Sequence, residues 1–317
     1  MATKVKISIV AARAAGGKPE PGQAAVDGMI EHWQGRMAQV LPDEPDLIVV
    51  PECCDRYPQH SMAQRQEYYR FRDRQIADYF SSVAQDNGCY VTYPAVREMP
   101  DGSWRNSVEL FDREGTSMGF YNKNYVVVVE TTEAGILAGW QAPLFECDFG
   151  TVGCAICFDL NFDGIRQEYA ESRPDLIVFP SMYHGGLMQP YWAYSCRTHL
   201  VTSVCGQPSG ILSPTGESLA TTSNYFDFVS STVNLDCQMV HLDFNWEGLR
   251  GLKEKYGAEV RVDDPGHLGA VLVTSESEEV SSGEMVDEFG IELLDDYMAR
   301  SIAHRQDPRN AEPESAM

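Results

Sequence analysis

Positive charge is scarce in this sequence. Lys and Arg total 24 against 47 Asp and Glu, which gives a formal net charge of −23 over 317 residues. Such an excess of negative charge repels phosphate backbones and anionic lipid surfaces from most of the exterior. Neither nucleic acid nor a membrane surface is therefore expected as a partner.

Long apolar runs are absent as well. No stretch reaches the roughly 18 consecutive apolar residues that a membrane-spanning helix needs. The N-terminal residues lead into a predicted strand rather than into the apolar core of a signal peptide. A cytoplasmic location is the default expectation, and 43% hydrophobic with 22% charged residues is typical of a globular protein with a large core.

The nine cysteines lack the pattern of a disulfide framework. Their number is odd and several stand within apolar runs, which indicates reduced, buried thiols. Cys154 and Cys157 do form a C-x-x-C pair. A structural zinc site needs a second such pair, however, and a redox pair is expected at a helix N-terminus, so neither role is favoured.

What the sequence does contain is an alternation of strand and helix patterns. Helical spacing predicts helices at residues 24–41, 60–85, 161–172 and 189–199. Apolar runs predict strands at residues 5–11, 47–51, 89–96, 107–111, 119–121, 151–158, 176–180, 201–205 and 233–242. The alternation favours an α/β fold with buried strands, and turn signals such as Asp101-Gly102 favour mixed sheets over purely parallel ones.

The composition changes near residue 245. We therefore predict a domain over residues 1–245 and a C-terminal extension over residues 246–317 that packs on the core or on a neighbouring subunit. Helices are predicted at 246–256 and 291–303 within the extension. Residues after Arg305 are expected to be disordered.

Three reactive side chains, Glu52, Lys123 and Cys157, stand where apolar runs end. Strand ends share an edge of the sheet in α/β folds, and sites are built there, so the three are expected to meet. A cysteine becomes a strong nucleophile when a neighbour takes its proton. We interpret Cys157 as the nucleophile, Glu52 as the general base and Lys123 as the cation that stabilises a tetrahedral intermediate. Taken singly, each also has a structural interpretation: a buried thiol, a helix-capping carboxylate and a surface amine.

The same residues carry a resemblance to the nitrilase superfamily of carbon-nitrogen hydrolases. That family has a Glu after an apolar strand, a Lys in Y-x-K and a Cys in G-x-x-I-C-x-D. This sequence has PDLIVVPE at 45–52, YNK at 121–123 and GCAICFD at 153–159. Further similarities lie at 174–181, 197–203 and 209–216, so the resemblance extends over most of the chain.

The resemblance implies a four-layer αββα sandwich, no metal or organic cofactor, and a homodimer or higher homo-oligomer. It also implies a second glutamate, between the lysine and the cysteine, that positions the lysine and the substrate. Glu130 and Glu133 compete for this role. Glu133 is preferred because it stands just before a Gly-Ile-x-x-Gly turn.

The residues after the cysteine bear on the substrate. Phe158-Asp159 resembles the amide side of the family, since members that cleave nitriles carry Trp-Glu there. Members that hold N-carbamoyl amino acids carry an arginine at the following positions, where this chain has Leu160 and Asn161. A small amide or another carbamoyl compound is therefore favoured. Asp159 is interpreted as the N-cap of the following helix.

Candidates for the substrate pocket are Tyr57, Phe158 and His184, with loop packing as an equal alternative for His184. The sequence thus predicts a hydrolase that cleaves a non-peptide C–N bond of a small molecule through a cysteine thioester. A nitrile hydrolase, an acyl transferase and a non-catalytic relative that acts as a binding protein are the alternatives.

Overall fold

The computed structural model describes residues 1–312, and the chain divides into two compact units. The larger unit is Lys4–Val233, and the smaller comprises Met1–Thr3 with the chain from Asn234 onward. The disorder predicted after Arg305 concerns in part residues 313–317, which lie outside the described residues. Residues up to 312 are described and include a short 3-10 turn at Pro308–Asn310.

The larger unit alternates strands and helices, as the sequence patterns predict. Its helices are α1 (Gln23–Met37), α2 (Met62–Arg72), α3 (Gln75–Asn87), α4 (Val128–Thr132), α5 (Asp163–Ser172) and α6 (Met188–Cys196). Its strands are β1 (Lys4–Val10), β2 (Leu47–Val49), β3 (Tyr90–Glu98), β4 (Trp104–Phe111), β5 (Ser117–Asn122), β6 (Phe145–Cys147), β7 (Gly150–Cys154), β8 (Leu176–Ser181), β9 (His199–Val204), β10 (Gly210–Leu212), β11 (Ser218–Thr221) and β12 (Phe228–Asn234).

The strands form two mixed sheets, with the orders β12-β1-β2-β3-β4-β5 and β11-β10-β9-β8-β7-β6. In the first sheet β1, β2 and β3 are parallel, and hairpins then join β3 to β4 and β4 to β5. In the second sheet β7, β8 and β9 are parallel between antiparallel edges. The chain reverses direction at each of the two hairpins, so β5 runs parallel to β3 and to β2. Strand β5 therefore ends at the same edge of the first sheet as β2.

The two sheets face each other between two helical layers. On the first sheet, α1 packs against α2 and α3, and both of these helices contact β3. On the second sheet, α5 packs against α6, which also contacts β9. Strand β9 lies against β1 and β2 across the sheet interface. The α/β prediction and the four-layer αββα sandwich are thus confirmed, with mixed sheets.

One predicted helix is divided in two. The pattern at 60–85 predicts a continuous helix, whereas α2 ends at Arg72 and α3 begins at Gln75. Asp73 between them has a left-handed φ of 43°, which a continuing α-helix does not allow. A capping box that joins Ser61 and Gln64 starts α2.

Each helical layer contains a buried tryptophan that reaches a strand-end loop. Trp33 of α1 donates its indole N–H to the carbonyl oxygen of Cys54 at 2.9 Å. Trp192 of α6 donates its indole N–H to the carbonyl oxygen of Leu160 at 2.8 Å. Both side chains are fully buried, so each ties its layer to a loop by an apolar contact and a satisfied polar atom.

The smaller unit has its own sheet and core. Its strands are β13 (Cys237–His241), β14 (Val260–Asp263) and β15 (Ala270–Ser275), antiparallel in the order β13-β15-β14, and its helices are α7 (Trp246–Tyr256), α8 (Ser282–Glu288) and α9 (Leu294–Gln306). Val240, Leu252 and Val273 belong to its buried apolar cluster. In the described part of the chain, no helix has the length and apolar character that crossing a bilayer requires.

A buried ion pair fixes the loop that follows β2. Asp55 Oδ2 lies 2.6 Å from Arg72 Nε in an ion pair and accepts from the Tyr93 hydroxyl at 2.6 Å, with the Asp55 side chain fully buried and that of Arg72 4% exposed. Arg72 also donates to the carbonyl oxygen of Val96. Helix α2, strand β3 and this loop are thereby joined through one carboxylate.

Removal of that carboxylate tests how far the loop depends on it. Asp55→Ala leaves the Arg72 guanidinium buried without its counter-charge, and we expect a loss of about 3–5 kcal/mol in the free energy of unfolding. The control is Glu98→Ala, which removes the partner of the exposed Arg70 on the same helix. Chemical denaturation should show a much smaller loss in the free energy of unfolding for Glu98→Ala than for Asp55→Ala. Equal losses in the two variants would contradict the role of Asp55.

Candidate active site

The ends of three strands bring Glu52, Lys123 and Cys157 together. Glu52 lies three residues beyond β2, Lys123 directly follows β5, and Cys157 opens a 3-10 turn (Cys157–Asn161) shortly after β7. Strands β2 and β5 end at one edge of the first sheet, and β7 belongs to the facing sheet. The side chains of Glu52 and Lys123 are 3% and 1% exposed, so the group is almost closed to solvent.

Lys123 lies between two carboxylates. Its Nζ is 3.0 Å from Glu52 Oε1 and 2.8 Å from Glu130 Oε2. The amide of Asn106, on β4, donates to Glu52 Oε1 at 2.7 Å and is 3.3 Å from Glu130 Oε1. Burial alone would lower the pKa of Lys123, but the charges of Glu52 and Glu130 outweigh burial and raise that pKa. Lys123 is therefore a fixed ammonium at neutral pH rather than a base.

The Cys157 thiol is protonated at rest. Burial and then the negative charge of Glu52 raise its pKa to about 12, against the opposing effects of the Lys123 ammonium and the Met182 backbone N–H. The Met182 N–H also donates to Glu52 Oε2 at 2.9 Å. Because Glu52 lies close enough to Cys157 to raise the pKa of the thiol, the carboxylate is placed to receive the proton when the thiol reacts.

The backbone is strained at two positions in this group. Cys157 has a φ of 51°, and Cys53, directly after Glu52, has a φ of 49°. Several other non-glycine residues with positive φ end helices, whereas these two lie in strand-end loops. A left-handed L-residue costs ~1–2 kcal/mol, and such outliers cluster at functional sites.

Asp159 ties the cysteine turn to the lysine segment. Its buried carboxylate accepts from the Tyr121 hydroxyl at 2.7 Å, the Tyr125 N–H at 2.7 Å and the Ile156 N–H at 2.9 Å. It is not the N-cap of α5, where Phe162 holds that position. The N-cap interpretation is therefore corrected: the donors come from the turn itself and from the segment around Lys123.

The two competing glutamates have different surroundings. Glu130, in α4, binds Lys123 and also accepts from the Val127 N–H at 2.8 Å. Glu133, preferred from the sequence, is exposed and has no ion pair with Lys123 among the described contacts. The two residues are three positions apart along the chain, and the fold brings Glu130 rather than Glu133 into contact with Lys123. The second-glutamate role is therefore reassigned to Glu130 as a candidate.

The three residues proposed for the substrate pocket have different surroundings. Tyr57 is buried in an aromatic cluster with His60 and donates to the Ala25 carbonyl oxygen at 2.7 Å, which is a core environment. Phe158 follows Cys157 directly and packs edge-on against Phe162. His184 is exposed, and its Nδ1 accepts from a backbone N–H within its own loop. Phe158 alone of the three directly neighbours the candidate nucleophile along the chain.

Sequence reasoning missed Asn106. Its neighbours Arg105 and Ser107 are polar, so the sequence pattern does not single it out, and its role is visible only from its burial and its hydrogen bonds to Glu52 and Glu130. All nine cysteines are free, including Cys154 and Cys157. Among the described residues, no cluster of His, Cys, Asp and Glu is arranged to hold a metal ion.

Comparison with known proteins gives one family match. A family model described as carbon-nitrogen hydrolase matches residues 10–205. Omega-amidase NIT2 of Xenopus tropicalis is 22% identical over 214 residues, which cover 60% of this chain and 77% of that protein. Human omega-amidase NIT2 is 22% identical over 213 residues, with 60% and 76% covered.

Solved structures share the fold. Saccharomyces cerevisiae Nit3, a member of branch 10 of the nitrilase superfamily, superposes with a TM-score of 0.61 at 16% identity over 73% of this chain and 90% of that one. An amidase of the nitrilase superfamily from Nesterenkonia sp. AN1 gives a TM-score of 0.58 at 18% identity over 73% and 90%. In one mutant of that amidase, the acetamide moiety of fluoroacetamide is covalently added to the active-site cysteine.

The role of Asp159 can be tested by Asp159→Asn. The carboxylate accepts from three donors, and the NH2 group of an asparagine would face at least one of them as a second donor. One hydrogen bond would be lost, so we expect a loss of about 1–3 kcal/mol in the free energy of unfolding. Burial raises the pKa of Asp159 from 3.8 to about 6, so the folded state binds a proton more readily than the unfolded state between these pH values. Proton binding by Asp159 therefore stabilises the folded state. This contribution to stability is complete below pH 3.8 and is lost as the pH rises through about 6.

The deficit of Asp159→Asn should accordingly widen as the pH falls from about 6 toward 3.8. Asp163→Asn, in the exposed first turn of α5, is the matched control. Denaturation at several pH values measures both. A deficit no larger than that of Asp163→Asn would remove Asp159 from its proposed role.

Proposed function

Because the chain belongs to the carbon-nitrogen hydrolase family, we propose that it hydrolyses the C–N bond of a small amide or N-carbamoyl compound through a thioester on Cys157. The observation that carries the proposal is the position of Glu52. Its carboxylate is 3.0 Å from the Lys123 ammonium and lies close enough to Cys157 to raise the pKa of the thiol. A base and a cation are thus in direct contact beside a nucleophile in a buried site.

In the first half-reaction, Glu52 takes the thiol proton as the Cys157 sulfur attacks the amide carbon. The carbonyl oxygen becomes an oxyanion, and Lys123, held by two carboxylates, supplies a fixed positive charge nearby. The C–N bond then breaks, and Glu52 gives its proton to the departing nitrogen. Ammonia or an amine leaves, and the acyl group remains on sulfur.

In the second half-reaction, Glu52 takes a proton from a water molecule that attacks the thioester carbon. The C–S bond breaks, the sulfur regains a proton from Glu52, and the acid product leaves. The same carboxylate serves both halves because its oxygens contact the lysine and a backbone N–H and lie close enough to the thiol to raise its pKa. The covalent cysteine adduct in the Nesterenkonia amidase supports Cys157 as the nucleophile by analogy.

Ammonia release from a panel of small amides, N-carbamoyl compounds and nitriles tests the reaction. We expect release from amides or carbamoyl compounds with the wild-type protein and none above background with Cys157→Ala, because the thioester cannot form. Cys147→Ala, at a half-buried cysteine on the edge strand β6, is the control and should retain activity. Turnover by Cys157→Ala would overturn the mechanism, and release from nitriles alone would reassign the substrate.

A matched pair of variants separates the two glutamates. Glu130→Gln removes one of the carboxylates that hold Lys123, so we expect kcat/KM for a responsive amide to fall by about 10²-fold. Glu133→Gln leaves the Lys123 contacts in place and should cause a clearly smaller loss. Steady-state kinetics on both variants decides between them, and a larger loss in Glu133→Gln would return the role to the residue preferred from sequence.

A further inference from the structure

Strands β3 and β4 place two arginines directly opposite each other. In the antiparallel register of these strands, Arg97 is the partner of Arg105, and both side chains are half-buried. Directly opposed residues lie on the same face of a sheet with Cβ atoms about 5 Å apart, and like charges in such a pair are destabilising. The chain has 47 acidic and only 24 basic side chains, so carboxylates that could offset this repulsion are plentiful.

Neither arginine has a carboxylate partner among the described residues. Arg97 donates from Nε to Ser107 Oγ at 3.1 Å and from Nη2 to Asn122 Oδ1 at 3.1 Å. Its guanidinium carbon is 3.8 Å from the centre of the Phe120 ring, which fixes the orientation of the side chain. Arg105 donates only to uncharged oxygens of the two residues that precede it. The repulsion between the two guanidinium groups is therefore not offset within the described part of the chain.

A cavity of about 570 Å³ opens beside Arg97, between the first sheet and the turn that joins α2 to α3. Its volume lies in the range of about 300–1,000 Å³ that is typical of sites for small organic molecules. Aromatic and apolar residues form part of its wall, namely Tyr69, Ala77, Tyr93, Ala95, Pro100 and Phe120. An anion at the arginine pair would thus have space beside it for an organic group.

The other charges around the cavity are already matched or exposed. Three ion pairs lie there, namely Arg70 with Glu98, Arg72 with Asp55, and Arg74 with Glu109. Asp73 and Asp101 are exposed, and neither forms an ion pair with Arg97 or Arg105. Burial and the charges of Arg105 and Arg74 lower the pKa of Arg97, although Glu109 acts against them. The unmatched charge at this place is therefore the double positive charge of the opposed pair.

The cavity lies on the opposite face of the strands from the candidate active site. Along β4, Arg105 and Ser107 share the face toward the helices, and Ser107 lines the cavity. Asn106 stands between them and points the other way, where it donates to Glu52. A ligand in this cavity would therefore meet none of the side chains proposed to carry out hydrolysis.

We propose that Arg97 and Arg105 bind the phosphate group of a small phosphate monoester, whose organic part occupies the adjoining cavity. The charges match, because a phosphate monoester carries about −1.5 to −2 at pH 7 and the pair carries two positive charges. The planar donor fork of arginine fits phosphate oxygens, and Arg97 Nη1 makes no hydrogen bond to a described residue. A phosphate between the two groups replaces their repulsion by two attractions. The site does not depend on the hydrolysis proposed above.

Calorimetry with phenyl phosphate tests the site, in a chloride buffer that contains no phosphate. Benzoate supplies the same ring with a single negative charge, and inorganic phosphate supplies the dianion without the ring. We expect phenyl phosphate to bind at least about tenfold more tightly than either of them. Benzoate that binds as tightly would contradict recognition of a dianion. Inorganic phosphate that binds as tightly would contradict the role of the cavity.

Variants of the two arginines locate the binding. Arg97→Gln and Arg105→Gln should each weaken the binding of phenyl phosphate by about 10- to 100-fold. Arg97→Lys keeps the charge without the donor fork and should retain part of the affinity. Arg36→Gln, which removes a cation from an ion pair with Asp227, is the matched control and should leave the affinity unchanged. An affinity that survives in both glutamine variants would overturn the proposal.

Stability without ligand separates an anion site from a purely structural pair. Arg105 bonds only to its sequence neighbours, so Arg105→Gln should fold, and relief of the repulsion should keep its denaturation midpoint at or above that of the wild type. Saturating phenyl phosphate should raise the midpoint of the wild type and have much less effect on Arg105→Gln. A lower midpoint for ligand-free Arg105→Gln, or no detectable binding of phenyl phosphate by the wild type, would refute the site.

Discussion

The contact of one buried lysine with two carboxylates is the constraint on which the site depends. The interior holds one positive charge, on Lys123, and two negative charges, on Glu52 and Glu130. A buried charge is tolerated only when it is paired and hydrogen-bonded. The fold meets this demand with donors from separate elements, namely the Asn106 amide and two backbone N–H groups. The same arrangement keeps the lysine charged and leaves the cysteine protonated until a base acts.

The strand-end loops that hold Glu52 and Cys157 are stabilised in a similar way on the two sheets. Each sheet ends in a loop with a left-handed residue, Cys53 on one side and Cys157 on the other, and each loop accepts an indole N–H from its own helical layer. Asp159 then joins the cysteine turn to the segment around Lys123. Strain at the two loops is thus held by packing and by hydrogen bonds that reach across the sheets.

The sequence predicted what depends on local pattern. The strand-end positions of Glu52, Lys123 and Cys157, the mixed α/β fold and the family follow from apolar runs and short motifs, and the fold and family are confirmed. It did not distinguish Glu130 from Glu133, since only the path of α4 decides which carboxylate meets the lysine. Tyr57 was misjudged because its distance from Glu52 along the chain is short, whereas its hydroxyl reaches helix α1. Asn106 depends on a partner 54 residues away.

The left-handed backbone at Cys157 has an evolutionary consequence. Any residue with a Cβ bears a conformational cost at that position, and glycine does not. A cysteine codon becomes a glycine codon by one nucleotide change, so a mutational step that relaxes this turn also deletes the thiol. Relief of the strained backbone would favour that step, whereas the loss of the thiol would end the reaction proposed for this site. A lineage freed from the need for the reaction would therefore tend to drift toward silent descendants that keep the sandwich.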